Sequence, residues 1–206
     1  MSMSRRTRQG IRLGALLLLS CVTGLAVASW VEHKRNLDEE YSVYSAYLSE
    51  ELLNNAHDWS VNGPVQVVVE DTTEVDGHLK FRLLYLLDNR VRFDELHDST
   101  RVSFMVRNLF RTRILPEFVL PRLATAVLVS QSDIEANSYG SPEFQKKYPR
   151  NMGFITLSSI SFNPSRTQAV FYIGHFCGLC GGGGYVLMEK VNGKWKFRDM
   201  HSTWIS

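Results

Sequence analysis

The chain has 206 residues, 44% hydrophobic and 21% charged, which is ordinary for a single globular domain with a sizeable core. Its net charge of +2 is unevenly distributed, because Arg5, Arg6, Arg8 and Arg12 precede every acidic residue. Removing these four from the 23 basic residues leaves 19 against 21 acidic residues. Because acidic and basic residues are nearly equal in number in the rest of the chain, there is no electrostatic reason to expect nucleic acid as a partner.

Residues 13–31 form an uncharged apolar stretch behind this basic lead, which is the pattern of a secretory signal peptide or a transmembrane helix. Three fates stay open: cleavage between Ala28 and Ser29, retention as a membrane anchor, or lipidation at Cys21. Each fate places residues 32–206 outside the cytoplasm. We therefore predict a single extracytoplasmic domain in the periplasm or cell envelope, secreted or anchored in the inner membrane by residues 13–31.

The segment after the apolar stretch predicts an amphipathic helix over residues 36–56. Asn36 and Glu39 form a plausible capping pair at its start. Apolar residues recur along the segment at intervals of three and four, so that they share one face. These residues are Leu37, Tyr41, Tyr44, Leu48 and Leu52.

The middle of the chain gives weaker signals, and the secondary structure of residues 78–122 stays open. Strands are expected at Val65–Val69 and at 124–129, where β-branched residues cluster. A helix is expected to start at Asp98 or Ser99 and to turn its apolar residues inward. Those residues are Val102, Met105, Val106, Leu109 and Phe110, with Arg107 and Arg111 left on the outer face.

The last third predicts four strands in immediate succession. The turn sequence 163–166 separates the first two, and Asn192-Gly193 is the typical signal of a tight hairpin between the last two. Consecutive strands with short connections favour an antiparallel meander. The expected fold is α+β, with the amino-terminal amphipathic helix packed on an antiparallel sheet that ends in this four-strand meander.

The same region resembles the closing segment of an uncharacterised family of bacterial exported proteins. The shared pattern includes Gly153, the run from Ser158 to Asn163, Thr167-Gln168-Ala169, the glycine-rich Cys177–Tyr185 stretch, Asn192-Gly193-Lys194-Trp195 and Trp204-Ile205-Ser206. The resemblance implies an α+β sheet domain behind an export signal. It implies no activity, because none is known for that family.

The sequence HFCGLCGGGGY contains the two cysteines of the body, Cys177 and Cys180. In an oxidising compartment such a pair favours a disulfide, here at the tip of a hairpin whose chain reversal is expected at Gly181, Gly182, Gly183 and Gly184. A zinc site is the alternative, with His175, Cys177, Cys180 and His201 as its ligands. A dithiol catalyst is less favoured, because no helix follows to lower the pKa of the first thiol.

No catalytic residue and no cofactor are predicted from these motifs, and whether the protein is an enzyme stays open. The favoured interpretation is a non-catalytic binding or structural component of the cell envelope. Its expected partners are an unknown envelope component and, through residues 13–31, the membrane. The alternative is an envelope enzyme, either a hydrolase that uses His201 and Asp199 or a thiol–disulfide catalyst that uses Cys177 and Cys180.

Overall fold

The computed structural model describes residues 34–51, 64–73, 96–122, 124–137, 141–177 and 181–205. The chain divides into two compact units, Met1–Glu40 and Tyr41–Ser206, and the described part of the first unit is helical. No helix in these ranges is long and apolar enough to cross a bilayer. The predicted signal or anchor at 13–31, with Cys21 and the Ala28–Ser29 cleavage site, lies outside the described residues.

Four helices and seven strands make up these ranges. The described part of helix α1 covers residues 34–51, so Asn36 lies inside the helix and not at its cap. The rest of the predicted helix, with Leu52, lies outside the described residues. The other helices are α2 (Asp98–Arg107), α3 (Gln131–Asn137) and α4 (Pro142–Lys147). The strands are β1 (Val65–Glu70), β2 (Ala124–Val129), β3 (Asn151–Leu157), β4 (Ser161–Phe162), β5 (Gln168–Phe176), β6 (Gly181–Val191) and β7 (Lys194–Ile205).

The strands form one sheet in the order β2-β1-β3-β5-β6-β7, with β4 paired to β5. The α+β class is confirmed, but the expectation of an antiparallel sheet is wrong, because β1 pairs in parallel with both β2 and β3. Parallel pairing needs a long crossover connection, and more than fifty residues, including α2, separate β1 from β2. The antiparallel succession β3-β5-β6-β7 forms the meander.

The two faces of the sheet carry separate cores. On the first face, Tyr44 and Tyr47 of α1 meet Phe171 of β5 edge-on, with ring centroids 5.3 and 5.4 Å apart. On the second face, Phe104 of α2 meets Tyr185 of β6 at 5.9 Å. Strand alternation produces this division, because successive side chains of β5 and β6 point to opposite faces.

Helix α2 begins at Asp98 as expected, but its predicted inward face is wrong. The buried residues are Thr100, Phe104 and Asn108, which recur every four positions. Four of the five apolar residues expected inside are instead exposed, namely Val102, Val106, Leu109 and Phe110. Contacts of two side chains explain the orientation of α2. Phe104 packs on Tyr185, and the Asn108 side-chain amide forms hydrogen bonds with the backbone of Phe104 and Ser159.

The four glycines are also not a turn. Gly181 to Gly184 belong to β6, where Gly181 pairs with Phe176 and Gly184 with Ile173. The chain therefore reverses between Phe176 and Gly181. Gly184 is needed for close approach instead, because a Cβ there would collide with the backbone carbonyl of His201.

The hairpin predicted at Asn192-Gly193 is confirmed. Both residues have positive φ, 51° and 76°, which is the backbone of the tight turns that suit the twist of an antiparallel pair. The turn after Asn163 is confirmed as well, and the Asn163 Oδ1 accepts the backbone amides of Thr167 and Gln168 at 2.8 and 3.0 Å. The first turn joins β6 to β7, and the second joins β4 to β5.

Candidate functional site

A cavity of about 210 Å³ opens between helix α1 and the first face of the sheet. We call it the α1 pocket. One helix and four strands supply its walls, and most of the lining is apolar. The lining residues are Tyr47, Leu48 and Glu51 of α1, Met152 and Ile155 of β3, Ile173 and His175 of β5, Gly182 of β6 and Met200 of β7.

Local geometry explains why these residues meet. Glu51 lies four positions after Tyr47 and three after Leu48, so the three residues share one side of the helix. Ile173 and His175 are two positions apart on β5 and therefore share one face of the sheet.

Gly182 creates the space at the β6 wall. It pairs directly with His175, and it carries no side chain, whereas Val186 and Met188 on the same face of β6 carry one. A Cβ at Gly182 would meet only the Trp204 carbonyl oxygen at 3.4 Å and the Ile205 Cγ1 atom at 4.0 Å. The position could therefore hold a side chain, and its absence leaves the pocket open.

His175 and Tyr47 have hydrogen-bond partners within the α1 pocket. The Nε2 atom of His175 lies 2.7 Å from the Met152 carbonyl oxygen and donates to it, because a carbonyl only accepts. The Tyr47 hydroxyl lies 3.7 Å from the Met200 sulfur. Burial, and then the negative charge of Glu51, raise the pKa of Tyr47 far above its ordinary value. At neutral pH this side chain is therefore an uncharged hydroxyl.

The second face of the sheet holds an aromatic cluster at the same end of the molecule. The Trp204 ring lies 5.1 Å from that of Phe176, and its Nε1 atom donates to the Tyr172 hydroxyl at 2.9 Å. Gly183 makes room for the hydrogen bond, because a Cβ there would collide with the Trp204 indole and the Tyr172 hydroxyl. The glycines of β6 therefore leave space on both faces of the sheet. Gly183 lies under the aromatic cluster, and Gly182 lies beside the α1 pocket.

The candidate hydrolase pair lies on the second face as well. His201 pairs with Tyr185 and Asp199 with Leu187, and both partners belong to the core beneath α2. The two side chains share a face, as expected from their spacing. Asp199 is exposed, and its Oδ1 atom accepts the backbone amide of Met200 at 2.8 Å. Neither residue lines the α1 pocket.

The predicted metal ligands are not brought together. His175 faces the α1 pocket, whereas His201 lies on the opposite face of the sheet, so the two cannot bind one ion. Within the residues that the structure describes, no three histidine, cysteine, aspartate or glutamate side chains form a metal-binding group. Cys180 lies outside the described residues.

Cys177 follows the last residue of β5, and Cys21 and Cys180 lie outside the described residues. Pairing of Cys177 with Cys180 therefore stays a prediction. It is compatible with the reversal between β5 and β6, because Phe176 and Gly181, which flank the pair, are themselves partners in the sheet.

Sequence reasoning missed the α1 pocket. Tyr47 extends the predicted helical stripe by three positions from Tyr44, so the periodicity contained that signal. Met152, Ile173 and Met200 carried no signal, because their meeting depends on the pairing of strands far apart in the sequence. Comparison with protein family models, with curated protein sequences and with solved structures finds no match to this chain.

Proposed function

We propose that the protein is an exported or membrane-anchored, non-catalytic α+β binding module of the cell envelope, in which the α1 pocket receives an apolar group of a partner. The observation that carries the proposal is the pocket itself, with apolar walls and a small number of polar groups. Concave sites of this composition are the usual form of binding sites in proteins.

The size of the pocket restricts its occupant. Pockets for drug-sized molecules have volumes of roughly 300–1,000 Å³. A cavity of about 210 Å³ is smaller and suits one aliphatic or aromatic side chain, or the tail of a ligand. Burying one such group contributes roughly 1.5–3 kcal/mol. A partner protein must therefore add contacts outside the pocket to bind with useful affinity, which favours a protein partner over a small metabolite.

The chemistry of the lining supports the non-catalytic part of the proposal. A catalytic acid or base works best with a pKa near the ambient pH. The pKa of Tyr47 is raised away from that range, and His175 uses its Nε2 atom to hold the Met152 carbonyl. Both side chains therefore serve the shape of the pocket.

Methionine methyl NMR can test the proposal on the full-length protein. Met152 and Met200 line the pocket, whereas Met188 is fully buried in the same core without lining it. The probes are cyclohexanol and p-cresol, which mimic an aliphatic and an aromatic side chain. We expect saturable shifts of the Met152 and Met200 methyl signals at probe concentrations of roughly 10–100 mM, as the burial energy implies.

The Met188 signal is the internal control and should stay in place. Equal shifts of all three signals would indicate non-specific solvent effects, and no shift at Met152 or Met200 would contradict the proposal.

A further inference from the structure

Helix α2 and the turn after it present an apolar surface to solvent. We call it the α2 stripe, defined by Val102, Val106, Leu109 and Phe110. Their exposed fractions are 56%, 59%, 53% and 74%. The four positions follow helical spacing and lie opposite the buried Thr100, Phe104 and Asn108.

Basic side chains flank this stripe. Residues 98–113 contain four arginines against one acidic residue, Asp98. Arg101, whose side chain is 13% exposed, lies 4.0 Å from Asp98. Arg107, Arg111 and Arg113 therefore supply the positive charge beside the stripe. Arg111 also pairs with the buried Glu70 of β1 at 3.7 Å. The surface keeps a positive balance even when Glu70 is counted, so a complementary partner should be negatively charged.

We propose that the α2 stripe rests on the surface of an anionic lipid bilayer. A helix with exposed apolar residues and flanking arginines has the composition of interfacial membrane-binding helices, in which the apolar side chains enter the acyl boundary and the guanidinium groups meet lipid phosphates. The stripe lies on the face of the sheet opposite the α1 pocket. Membrane contact through α2 therefore leaves the pocket open, and the inference does not depend on the proposed function.

Photocrosslinking in vesicles tests the inference. In full-length protein, Phe110 is replaced by p-benzoylphenylalanine, and the protein is reconstituted into phosphatidylcholine vesicles with or without phosphatidylglycerol. The matched control carries the same group at Val119, which is 78% exposed but lies beside α1, where its backbone amide donates to the Ser45 hydroxyl. Adducts to lipid are quantified by mass spectrometry.

We expect lipid adducts at position 110 that exceed those at position 119 and depend on phosphatidylglycerol. Each of Arg107→Gln and Arg113→Gln should reduce the adduct yield about fivefold, and 1 M salt should reduce it further. The double variant Val106→Ser/Leu109→Ser should reduce it without unfolding the protein, because both side chains are exposed. Equal yields at 110 and 119, or crosslinks to protein in place of lipid, would overturn the inference.

Discussion

Three consecutive glycines of β6 differ in what their missing side chains allow. At Gly184 the backbone of β7 approaches so closely that a Cβ would collide with the His201 carbonyl and lie 2.9 Å from the Ser202 Cα. At Gly183 the missing side chain makes room for Trp204. At Gly182 a Cβ meets nothing closer than 3.4 Å. The same residue type therefore permits strand pairing, aromatic packing and an open pocket at three adjacent positions.

This difference predicts unequal effects of the same substitution. Gly184→Ala should lower the free energy of unfolding by about 1–3 kcal/mol, because the β6–β7 backbone must shift to admit the methyl group. Gly182→Ala should change it by less than about 0.5 kcal/mol. Urea unfolding of the two variants beside the wild type measures both values. Equal destabilisation by the two substitutions would refute the assignment of Gly184 as the close-approach position.

Tyr47 predicts a specific dependence of stability on pH. Its pKa is raised in the folded state by burial and by Glu51, so the folded protein holds a proton that the unfolded chain releases above a pH of about 10. This contribution to stability is complete below that pH and is lost as the pH rises above it. Tyr47→Phe lacks the titrating group.

The free energy of unfolding of the wild type should therefore fall relative to Tyr47→Phe by up to roughly 1 kcal/mol per pH unit above a pH of about 10. Denaturant titrations between pH 8 and 11 measure the difference. A constant difference over that range would contradict the burial of the Tyr47 hydroxyl.

Among the elements, α2 is held in position by a polar side chain, Asn108, in addition to the packing of Phe104 on Tyr185. The Asn108 Nδ2 atom donates to the carbonyls of Phe104 and Ser159 at 2.9 and 3.1 Å, and its Oδ1 atom accepts the Ser159 amide at 2.8 Å. This single amide joins the end of the helix to the segment between β3 and β4. Sequence periodicity pointed to the opposite face because it counts apolar residues and does not detect such a bridge.

Asn108→Ala should lower the free energy of unfolding by about 1–3 kcal/mol, since it leaves buried backbone groups of Ser159 without partners. Val106→Ala on the exposed face of the same helix is the control and should have little effect. Chemical denaturation compares the two variants. A larger loss from Val106→Ala would restore the orientation of α2 that the apolar pattern predicts.

Some turns and one helix could be predicted because their sequence signals involve only residues that are close together in the chain. The hairpin at Asn192-Gly193 depends on two residues that tolerate positive φ, and the turn at Asn163 depends on a side chain that bonds its own neighbours. Both were predicted correctly. Helix α1 was predicted from its 3.6-residue period, although it begins before Asn36.

At the scale of the whole molecule, the parts that could not be predicted are those that depend on distant pairing. Strand β1 lies between β2 and β3, which are joined to it only through long intervening segments. The sequence of β1 contains no signal that predicts which strands pair with it in the sheet. The α1 pocket was missed for the same reason, because Met152, Ile173 and Met200 meet only when β3, β5 and β7 are placed in one sheet.

The predicted export of the whole chain connects with the state of Cys177. In an oxidising compartment a structural disulfide should resist mild reduction. We expect maleimide to leave Cys177 and Cys180 of the native protein unmodified until a strong reductant is added, after which intact mass should report two further adducts. Two adducts at these positions without reductant would contradict the predicted pairing and support the thiol–disulfide catalyst instead.

The central claim is that the α1 pocket is an apolar binding site. Its most direct test is the p-cresol titration of the Met152 and Met200 methyl signals in Gly182→Leu, beside Val191→Leu as a control at an exposed position of the same strand. We predict that the leucine at position 182 fills the pocket and abolishes the shifts, whereas Val191→Leu behaves as the wild type. Unchanged shifts in Gly182→Leu would contradict this prediction.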